Sequence, residues 1–299
     1  MSLPVVGKDS RSENASYTMR NFKLTICYDG SEFFGWQLQP GKTTVQGVLV
    51  DVASKLTQEN VQMHGSGRTD AGVHALGQVA HFKTASESLD ARGFQRAFNA
   101  LLPASVRVVG AEEVATSFHS RHDALAKTYQ YRIYRGKILS PFERRYVMHD
   151  PYPLDVAAMA EAARYFEGTF DFTSLAASTG DEELDEKRVT TRAVYSSQFF
   201  VRSANSFTRD GFLAGVSSDV IGDGTIESDE LVYVVRGKSF MRYMVRKMVG
   251  TLLHVGRGKL KATDIPGIIA AKDRSRSGAT APAQGLYLVS VEYGESWKF

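Results

Sequence analysis

Apolar and polar residues alternate with two different periods along the chain, one typical of strands and one typical of helices. Alternation with a period of two predicts strands at 22–28, 78–82, 106–114, 128–134, 194–201, 212–216, 231–236 and 286–293. Apolar positions spaced by three and four residues predict helices at 45–56, 89–102, 154–166, 240–254 and 265–271. Strands and helices alternate in both halves of the chain, so the pattern predicts two α+β domains joined near residues 114–123.

Length and composition fit this organisation and exclude some classes of protein. The chain has 299 residues, of which 43% are hydrophobic, enough for one large or two moderate cores. No apolar run approaches the roughly 20 residues of a membrane span. The first 19 residues are polar and are expected to be a disordered extension, followed by domains at 20–115 and 116–299. The single cysteine, Cys27, precludes a disulfide within the chain and favours a cytoplasmic location.

Charge is segregated along the chain, although the net charge is only +3. Residues 238–276 hold ten Lys and Arg against two Asp, a local net charge of 10 − 2 = +8. Acidic stretches lie at 181–186 and 219–230. The basic segment indicates either a surface for phosphates or a solvated helix face, and charge alone does not decide between them.

A glycine-rich segment at 65–75 carries the clearest chemical signal. Three glycines in eight positions predict a tight loop whose backbone approaches another group closely. The loop is neither a dinucleotide-binding fingerprint nor a phosphate-binding P-loop. Asp70 within it is a candidate turn cap, metal ligand, or nucleophile or base. The metal reading is weak because no second carboxylate or histidine stands at ligand spacing, and the other two stay open.

The segment Gly67-Arg68-Thr69-Asp70-Ala71-Gly72-Val73-His74-Ala75, followed by Gly77-Gln78-Val79 and His81-Phe82, closely resembles the signature of the tRNA pseudouridine synthase A family. Further matching blocks follow in order: Tyr28-Asp29-Gly30 with Phe34-Gly35-Trp36-Gln37, Phe98 to Pro103, Phe118 to Arg121, Lys127-Thr128-Tyr129, Phe240 to Arg246, and Ala281 to Leu288. The chain departs from the family at Ser66, where alanine is more usual, in the acidic 178–187 stretch, and in an insertion at 203–230. These departures affect RNA contacts and loop conformation rather than the chemistry.

The resemblance implies a fold, a set of site residues and a substrate. The fold is two α+β domains related by a pseudo-twofold, with antiparallel sheets side by side and the active-site cleft between them. Asp70 is implied as the catalytic nucleophile, with Tyr129, Arg68, Arg246 and Leu286 binding the target nucleotide. Family members are homodimers without cofactor or metal, and they modify uridines 38 to 40 in the anticodon stem-loop of tRNA.

Those residue types suit pseudouridine formation, which breaks the bond from C1′ to N1 of uracil and remakes it to C5. A carboxylate can attack the base or the sugar and later leave, and the sequence does not decide which. A stem uridine must first be flipped out; Arg68 can brace the vacated space and Tyr129 can stack on the base. Arg246 would favour the ionised carboxylate of Asp70.

Two other readings compete with this one. A non-catalytic tRNA-binding protein on the same fold would have no need to retain Asp70 beside Arg68, Tyr129 and Arg246. A hydrolase or metal-dependent nuclease is disfavoured because no second acid stands in the matched blocks. The histidines of these blocks are expected to make structural hydrogen bonds rather than transfer protons; they are His74, His81 and His119.

Overall fold

The computed structural model describes residues 19–178, 189–202 and 230–295. Nearly all of the expected N-terminal extension, the acidic 181–186 stretch and the expected strand at 212–216 therefore lie outside the described residues. Of the second acidic stretch only Glu230 is described. Its carboxylate pairs with the Arg132 guanidinium, which is 2% exposed, so this acidic residue is part of the packed protein.

The described residues form ten strands and five α-helices. The strands are β1 (Arg20–Tyr28), β2 (Met63–Gly65), β3 (His74–Thr84), β4 (Val106–Val114), β5 (Ala124–Tyr134), β6 (Met148–His149), β7 (Gly168–Asp171), β8 (Thr191–Arg202), β9 (Glu230–Gly237) and β10 (Leu286–Tyr293). The helices are α1 (Val45–Thr57), α2 (Ala91–Leu101), α3 (Val156–Arg164), α4 (Met244–Gly256) and α5 (Ile265–Ala271). The expected α+β class is confirmed.

All the strands belong to one sheet, whose order is β4-β1-β3-β10-β5-β9-β8-β7, with β2 beside β3 and β6 beside β5. Neighbouring strands are antiparallel except at two places, β5–β6 and β3–β10. The β3–β10 pair is short, matching Tyr287 with His74 and Leu288 with Ala75. The two halves of the sheet are therefore joined through a brief parallel contact at the centre.

Helix α1 shows how local sequence positions the elements near this centre. The Thr44 side chain accepts a hydrogen bond from the Gly47 N–H and so caps the helix. Val45, Leu49 and Val52 then face the core at helical spacing, as the apolar pattern predicts. Asp90 and Asp155 cap α2 and α3 in the same way.

The predicted helix at 240–254 begins later than expected. Helix α4 starts at Met244 because Tyr243 adopts a left-handed conformation, with φ +64° and ψ −4°. A non-glycine residue in this conformation costs free energy and ends regular helical geometry. Residues 240–243 therefore form a turn that leads into the helix.

Candidate active site

Asp70 lies in the loop between β2 and β3, where backbone and side-chain hydrogen bonds fix the chain. The Trp36 N–H donates to the Thr69 carbonyl at 3.1 Å, and the hydroxyls of Tyr28 and Thr69 are 2.7 Å apart. The Val73 N–H donates to the Asp70 carbonyl at 3.1 Å, which closes a turn around the aspartate. The loop is thus attached on both sides of Asp70.

Gly35 permits the close approach of a second loop to Asp70. Its φ is +86°, and a Cβ at this position would lie 2.7 Å from the Thr69 carbonyl oxygen and 3.1 Å from the Asp70 carbonyl carbon. Both the backbone conformation and the space exclude an ordinary side chain here. The glycine of the Phe34-Gly35-Trp36 block is therefore a structural requirement of the Asp70 loop.

The Asp70 carboxylate faces two arginines that precede or open helix α4. Arg246 Nη1 donates to Asp70 Oδ2 at 3.1 Å, whereas Arg242 Nε lies 3.9 Å from Oδ1. Arg246 is 14% exposed and Arg242 is 64% exposed. Burial raises the pKa of Asp70 above its usual value, and the charges of Arg246 and then Arg242 oppose that rise. The arginines stabilise a carboxylate that is largely removed from water.

Arg246 is itself held on three sides. Its Nε donates to the Ala281 carbonyl at 2.7 Å, while its own carbonyl accepts from the Ala281 N–H at 3.1 Å. The Tyr243 ring centre lies 4.9 Å from the guanidinium carbon, within range of a cation–π contact. The guanidinium therefore has little freedom to leave Asp70.

Tyr129 and Leu286 lie on the adjacent central strands β5 and β10. The Tyr129 ring packs edge-on against Phe240 with a centroid distance of 5.1 Å. Burial raises the pKa of Tyr129 far above its usual value, and the charge of Asp70 adds to the effect. Leu286, 5% exposed, is part of the main core at the start of β10. Three residues earlier, Ala283 Cβ lies 3.3 Å from the Cβ position of Gly72 in the Asp70 loop.

Arg68 differs from the other implied site residues because it is exposed. No hydrogen bond or ion pair joins its side chain to the residues that the structure describes. The structure therefore brings Asp70, Arg246 and Tyr129 together, with Leu286 in the core beside them. Arg68 stands at the surface two residues before Asp70, where its guanidinium is available to a ligand.

Lys127 is a neighbour of this site to which the sequence assigned no role. Its Nζ donates to the Ser66 carbonyl at 2.5 Å, and burial lowers its pKa to about 8. The Lys127-Thr128-Tyr129 spacing is the signal that points to it, because residues two apart in a strand share a face. Lysine in a strand pattern is more often solvated, which conceals this burial.

The histidines of the matched blocks make structural hydrogen bonds, as expected. His74 Nδ1 accepts from the Gly30 N–H at 3.1 Å, and Nε2 lies 2.9 Å from the Arg145 carbonyl. Asp29 Oδ1 also lies 3.2 Å from Nδ1, so Gly30, Asp29 and Arg145 together hold the ring. His81 Nδ1 is 2.9 Å from the Ser120 hydroxyl, and burial lowers the His81 pKa to about 4.

A cavity of about 390 Å³ borders the Asp70 loop at Gly72. Its other lining residues are Ser31, Glu32, Arg144, Arg145, Ala283 and Gln284. Arg145 pairs with Glu32 across this rim at 3.4 Å, which leaves Arg144 as the cation of the rim suited to phosphate oxygens. The His74 contact to the Arg145 carbonyl fixes that rim relative to the loop.

The described ranges contain neither a metal-binding cluster nor a membrane-spanning helix. No group of three or more His, Cys, Asp or Glu residues within 19–178, 189–202 and 230–295 is arranged to hold a metal ion. No helix in those ranges has the length and apolar character needed to cross a membrane.

An aspartate paired with a largely buried arginine, near a buried tyrosine at the centre of an α+β sheet, is the arrangement that the resemblance to pseudouridine synthases implies. A family model described as tRNA pseudouridine synthase matches residues 25–123 and 162–294. The chain therefore belongs to the tRNA pseudouridine synthase family, whose members are isomerases.

Relatives extend this match over nearly the whole chain. A protein of Solibacter usitatus named tRNA pseudouridine synthase A is 44% identical over 275 residues, covering 92% of this chain and 100% of the relative. Proteins of the same name from Caldicellulosiruptor saccharolyticus and Limosilactobacillus fermentum are 41% and 40% identical, each over 92% of this chain and over 100% and 96% of the relative. The resemblance to this family is confirmed, and the non-catalytic reading is not favoured.

Proposed function

We propose that this enzyme isomerises uridine to pseudouridine at positions 38 to 40 of the tRNA anticodon stem-loop, with Asp70 as the nucleophile. The observation that carries the proposal is the Asp70 carboxylate, 18% exposed and hydrogen-bonded to Arg246 beside the buried Tyr129. A partly desolvated carboxylate is a stronger nucleophile than a hydrated one, and the arginine keeps it ionised. Its attack detaches uracil, which turns in the closed pocket and reattaches through C5.

The remaining residues support binding of a flipped nucleotide. Arg68 is exposed beside the loop, where its planar guanidinium can fill the space that the base vacates. Tyr129 offers a ring to stack on uracil, and Leu286 supplies an apolar wall. Arg144 at the rim of the neighbouring cavity can receive a phosphate next to the target.

The proposal includes the organisation implied by the family. The domains are 20–115 and 116–299, related by a pseudo-twofold, and the enzyme acts as a homodimer in the cytoplasm without cofactor or metal. A twofold axis lying along the central strands would leave β3 and β10 parallel, and they are parallel. Sedimentation equilibrium of the purified protein tests the dimer, which a monomer mass at micromolar concentration would contradict.

The function is tested with tRNA transcripts labelled with tritium at C5 of uridine. C5 loses its hydrogen when the new bond forms, so release of tritium reports the reaction. We expect release from transcripts with uridine at 38, 39 or 40, and none when those positions alone are changed to cytidine. Nucleoside mapping identifies the product. Release that persists in the cytidine transcript, or no release from either, would contradict the proposal.

A further inference from the structure

Two hydrogen-bond donors, the Lys127 ammonium and the Tyr129 hydroxyl, lie beside the backbone of Gly67. A Cβ at Gly67 would lie 3.0 Å from Lys127 Nζ and 4.0 Å from the Tyr129 hydroxyl oxygen. Lys127 and Tyr129 are two residues apart in β5, so both side chains project from the same face of the sheet. The absence of a side chain at Gly67, three residues from Asp70, leaves both groups uncovered on this side, because a Cβ would crowd Lys127 Nζ.

The Lys127 ammonium lies in an unusual electrostatic setting. The residue is 7% exposed, and no carboxylate among the described residues lies within ion-pair distance of Nζ. Lys23 is also 7% exposed but pairs with Glu112 at 3.1 Å. A buried charge without an opposite charge is costly. An ammonium has three donors, and the Ser66 carbonyl accepts one, so Lys127 retains donors for a ligand.

The Tyr129 hydroxyl is similarly available. The residue is 7% exposed, and no hydrogen bond joins its hydroxyl to another residue in the described part of the chain. Buried tyrosine hydroxyls usually find a partner. An ammonium with free donors and a hydroxyl beside it form a polar patch that suits an oxygen atom carrying negative charge.

We propose that the Lys127 ammonium donates to the O4 carbonyl oxygen of the target uracil and stabilises the negative charge that develops on the base during the reaction, while Tyr129, whose ring stacks on the base, places its hydroxyl beside the ammonium. The inference rests on the proposed function and extends it to the recognition of the base. It adds Lys127 to the proposed substrate-binding residues Tyr129, Arg68, Arg246 and Leu286.

Electron movement supports O4 for either point of attack. If Asp70 attacks C1′, the new bond is carboxylate oxygen to C1′, and the C1′–N1 electron pair stays on N1. That charge spreads over O2 and, through C6=C5, over O4. If Asp70 attacks C6, the C5=C6 electron pair moves towards C4 and places the charge on C5 and O4. Both routes place negative charge on O4, and neither requires a further reactant.

The first test is Lys127→Met, with Lys23→Met as the matched control for removal of a buried ammonium. We expect the single-turnover rate at saturating enzyme to fall by about 10² to 10³, the usual effect of losing one such donor. Affinity for tRNA should change little because it rests on many phosphate contacts. Lys23→Met should keep the wild-type rate, and thermal unfolding of each variant checks its fold.

The second test replaces O4 of the target nucleotide by sulfur, with 2-thiouridine as the control. Sulfur accepts hydrogen bonds weakly, so 4-thiouridine should slow the wild-type enzyme relative to uridine. In Lys127→Met the ratio of the uridine rate to the 4-thiouridine rate should be several-fold smaller than in the wild type. The corresponding ratio for 2-thiouridine should be the same in both enzymes. Chromatographic analysis of the nucleosides measures each rate.

Gly67→Ala is the independent variant if Lys127→Met unfolds, because its methyl group would lie 3.0 Å from Lys127 Nζ and displace the ammonium. It should also reduce the saturated rate and the O4 discrimination. A variant that loses affinity and salt dependence but keeps its saturated rate would overturn the inference in favour of a phosphate contact. Full activity of Lys127→Met overturns it as well, whereas inactivity of the wild type towards tRNA would instead reject the proposed function.

Discussion

Arg246 Nη1 and Asp70 Oδ2 lie 3.1 Å apart, although 176 positions separate the two residues in the chain. Asp70 stands between two strands of the first half, and Arg246 stands in the first turn of α4 in the second half. The pair therefore exists only when both halves of the sheet are assembled. Chemistry that depends on it is coupled to the integrity of the whole fold.

Replacement of Asp70 by Asn should abolish isomerisation and leave tRNA binding largely intact. The carboxylate is required for bond breaking, whereas affinity is spread over phosphate contacts. We expect tritium release to fall by about 10⁴ or more, as for other catalytic nucleophiles, with an affinity near that of the wild type in filter binding. Asp51→Asn, on the exposed face of α1, is the matched control. Appreciable turnover by Asp70→Asn would reject the assignment.

In a plot of single-turnover rate against pH, replacement of Arg246 by Gln should move the loss of activity on the acid side to higher pH. Burial raises the pKa of Asp70 and Arg246 opposes it, so removing the arginine raises that pKa further. Attack requires the ionised form, and activity is then lost at a higher pH as acid is added. Arg242→Gln should shift the limb less, because Arg242 is more distant and exposed. Equal shifts in the two single-turnover profiles would contradict this ranking.

Gly35→Ala should destabilise the protein more than Gly41→Ala. Both glycines have positive φ, +86° and +69°, but a Cβ at Gly41 meets nothing within 4 Å. Gly41→Ala therefore isolates the backbone cost, about 1 kcal/mol. Gly35→Ala adds a clash with the backbone of Thr69 and Asp70, so it should lower the free energy of unfolding by at least about 1 kcal/mol more than Gly41→Ala does. It should also lower the isomerisation rate. Urea unfolding compares them, and equal losses would show that the Asp70 loop relaxes freely.

In the same plot of rate against pH, the wild-type rate should fall on the alkaline side as Lys127 loses its proton. Burial lowers the pKa of Lys127 to about 8, so the saturated rate should fall to about half near pH 8 and decline further above it. Lys127→Met should lack this limb, which separates it from ionisation of the uracil itself. An unchanged alkaline limb in the variant would contradict the prediction.

Other groups near Lys127 do not account for such a limb. The titratable and charged groups that face Lys127 or its immediate neighbours are Asp70, Arg121, Tyr28, Tyr129 and Tyr293. Burial raises the pKa values of the three tyrosines far above their usual value. Arginine stays protonated throughout this range, and the charges of Arg246 and Arg242 oppose the rise of the Asp70 pKa.

Neutralising Lys259 and Lys261 should weaken tRNA binding without slowing the chemical step. Both are exposed and belong to the basic 238–276 segment, which we expect to contact phosphates. Each lost contact should reduce the slope of log affinity against log salt by roughly 0.7 to 0.9. Filter binding over a salt series measures the slope, with Lys55→Gln on α1 as control. An unchanged slope with a slower saturated rate would assign these lysines to the active site.

Much of the fold was predictable from the period of apolar residues, because that period is local. The end of α2 before Pro103 and the cap at Thr44 are examples. The start of α4 was not predictable, since the apolar pairs continue through 240–243 although the helix does not. Tyr243 departs from helical geometry where it contacts Arg242 and Arg246, and such tertiary contacts leave no trace in local periodicity.

The site was predictable in part. The Asp70 loop is contiguous, so its glycines and charged residues stand out in the sequence. The partnership with Arg246 follows only from the family resemblance, because no local pattern spans 176 positions. The burial of Lys127 depends on Ser66 and Gly67 closing over it, and neither composition nor spacing reports that closure.

Strand β10 has a consequence for how the protein is made. It is the last described strand in the chain, yet it lies between β3 and β5 at the centre of the sheet. While the ribosome has not yet released residues 286–293, β1, β2, β3 and β4 can already pair with one another, but no strand pairing joins them to β5. The His74–Ala75 end of β3, where β10 pairs, therefore stays unpaired and vulnerable to wrong pairing, whereas β2 already covers Ala80 to Phe82. Synthesis of the final strand both pairs that end and joins the two halves of the sheet.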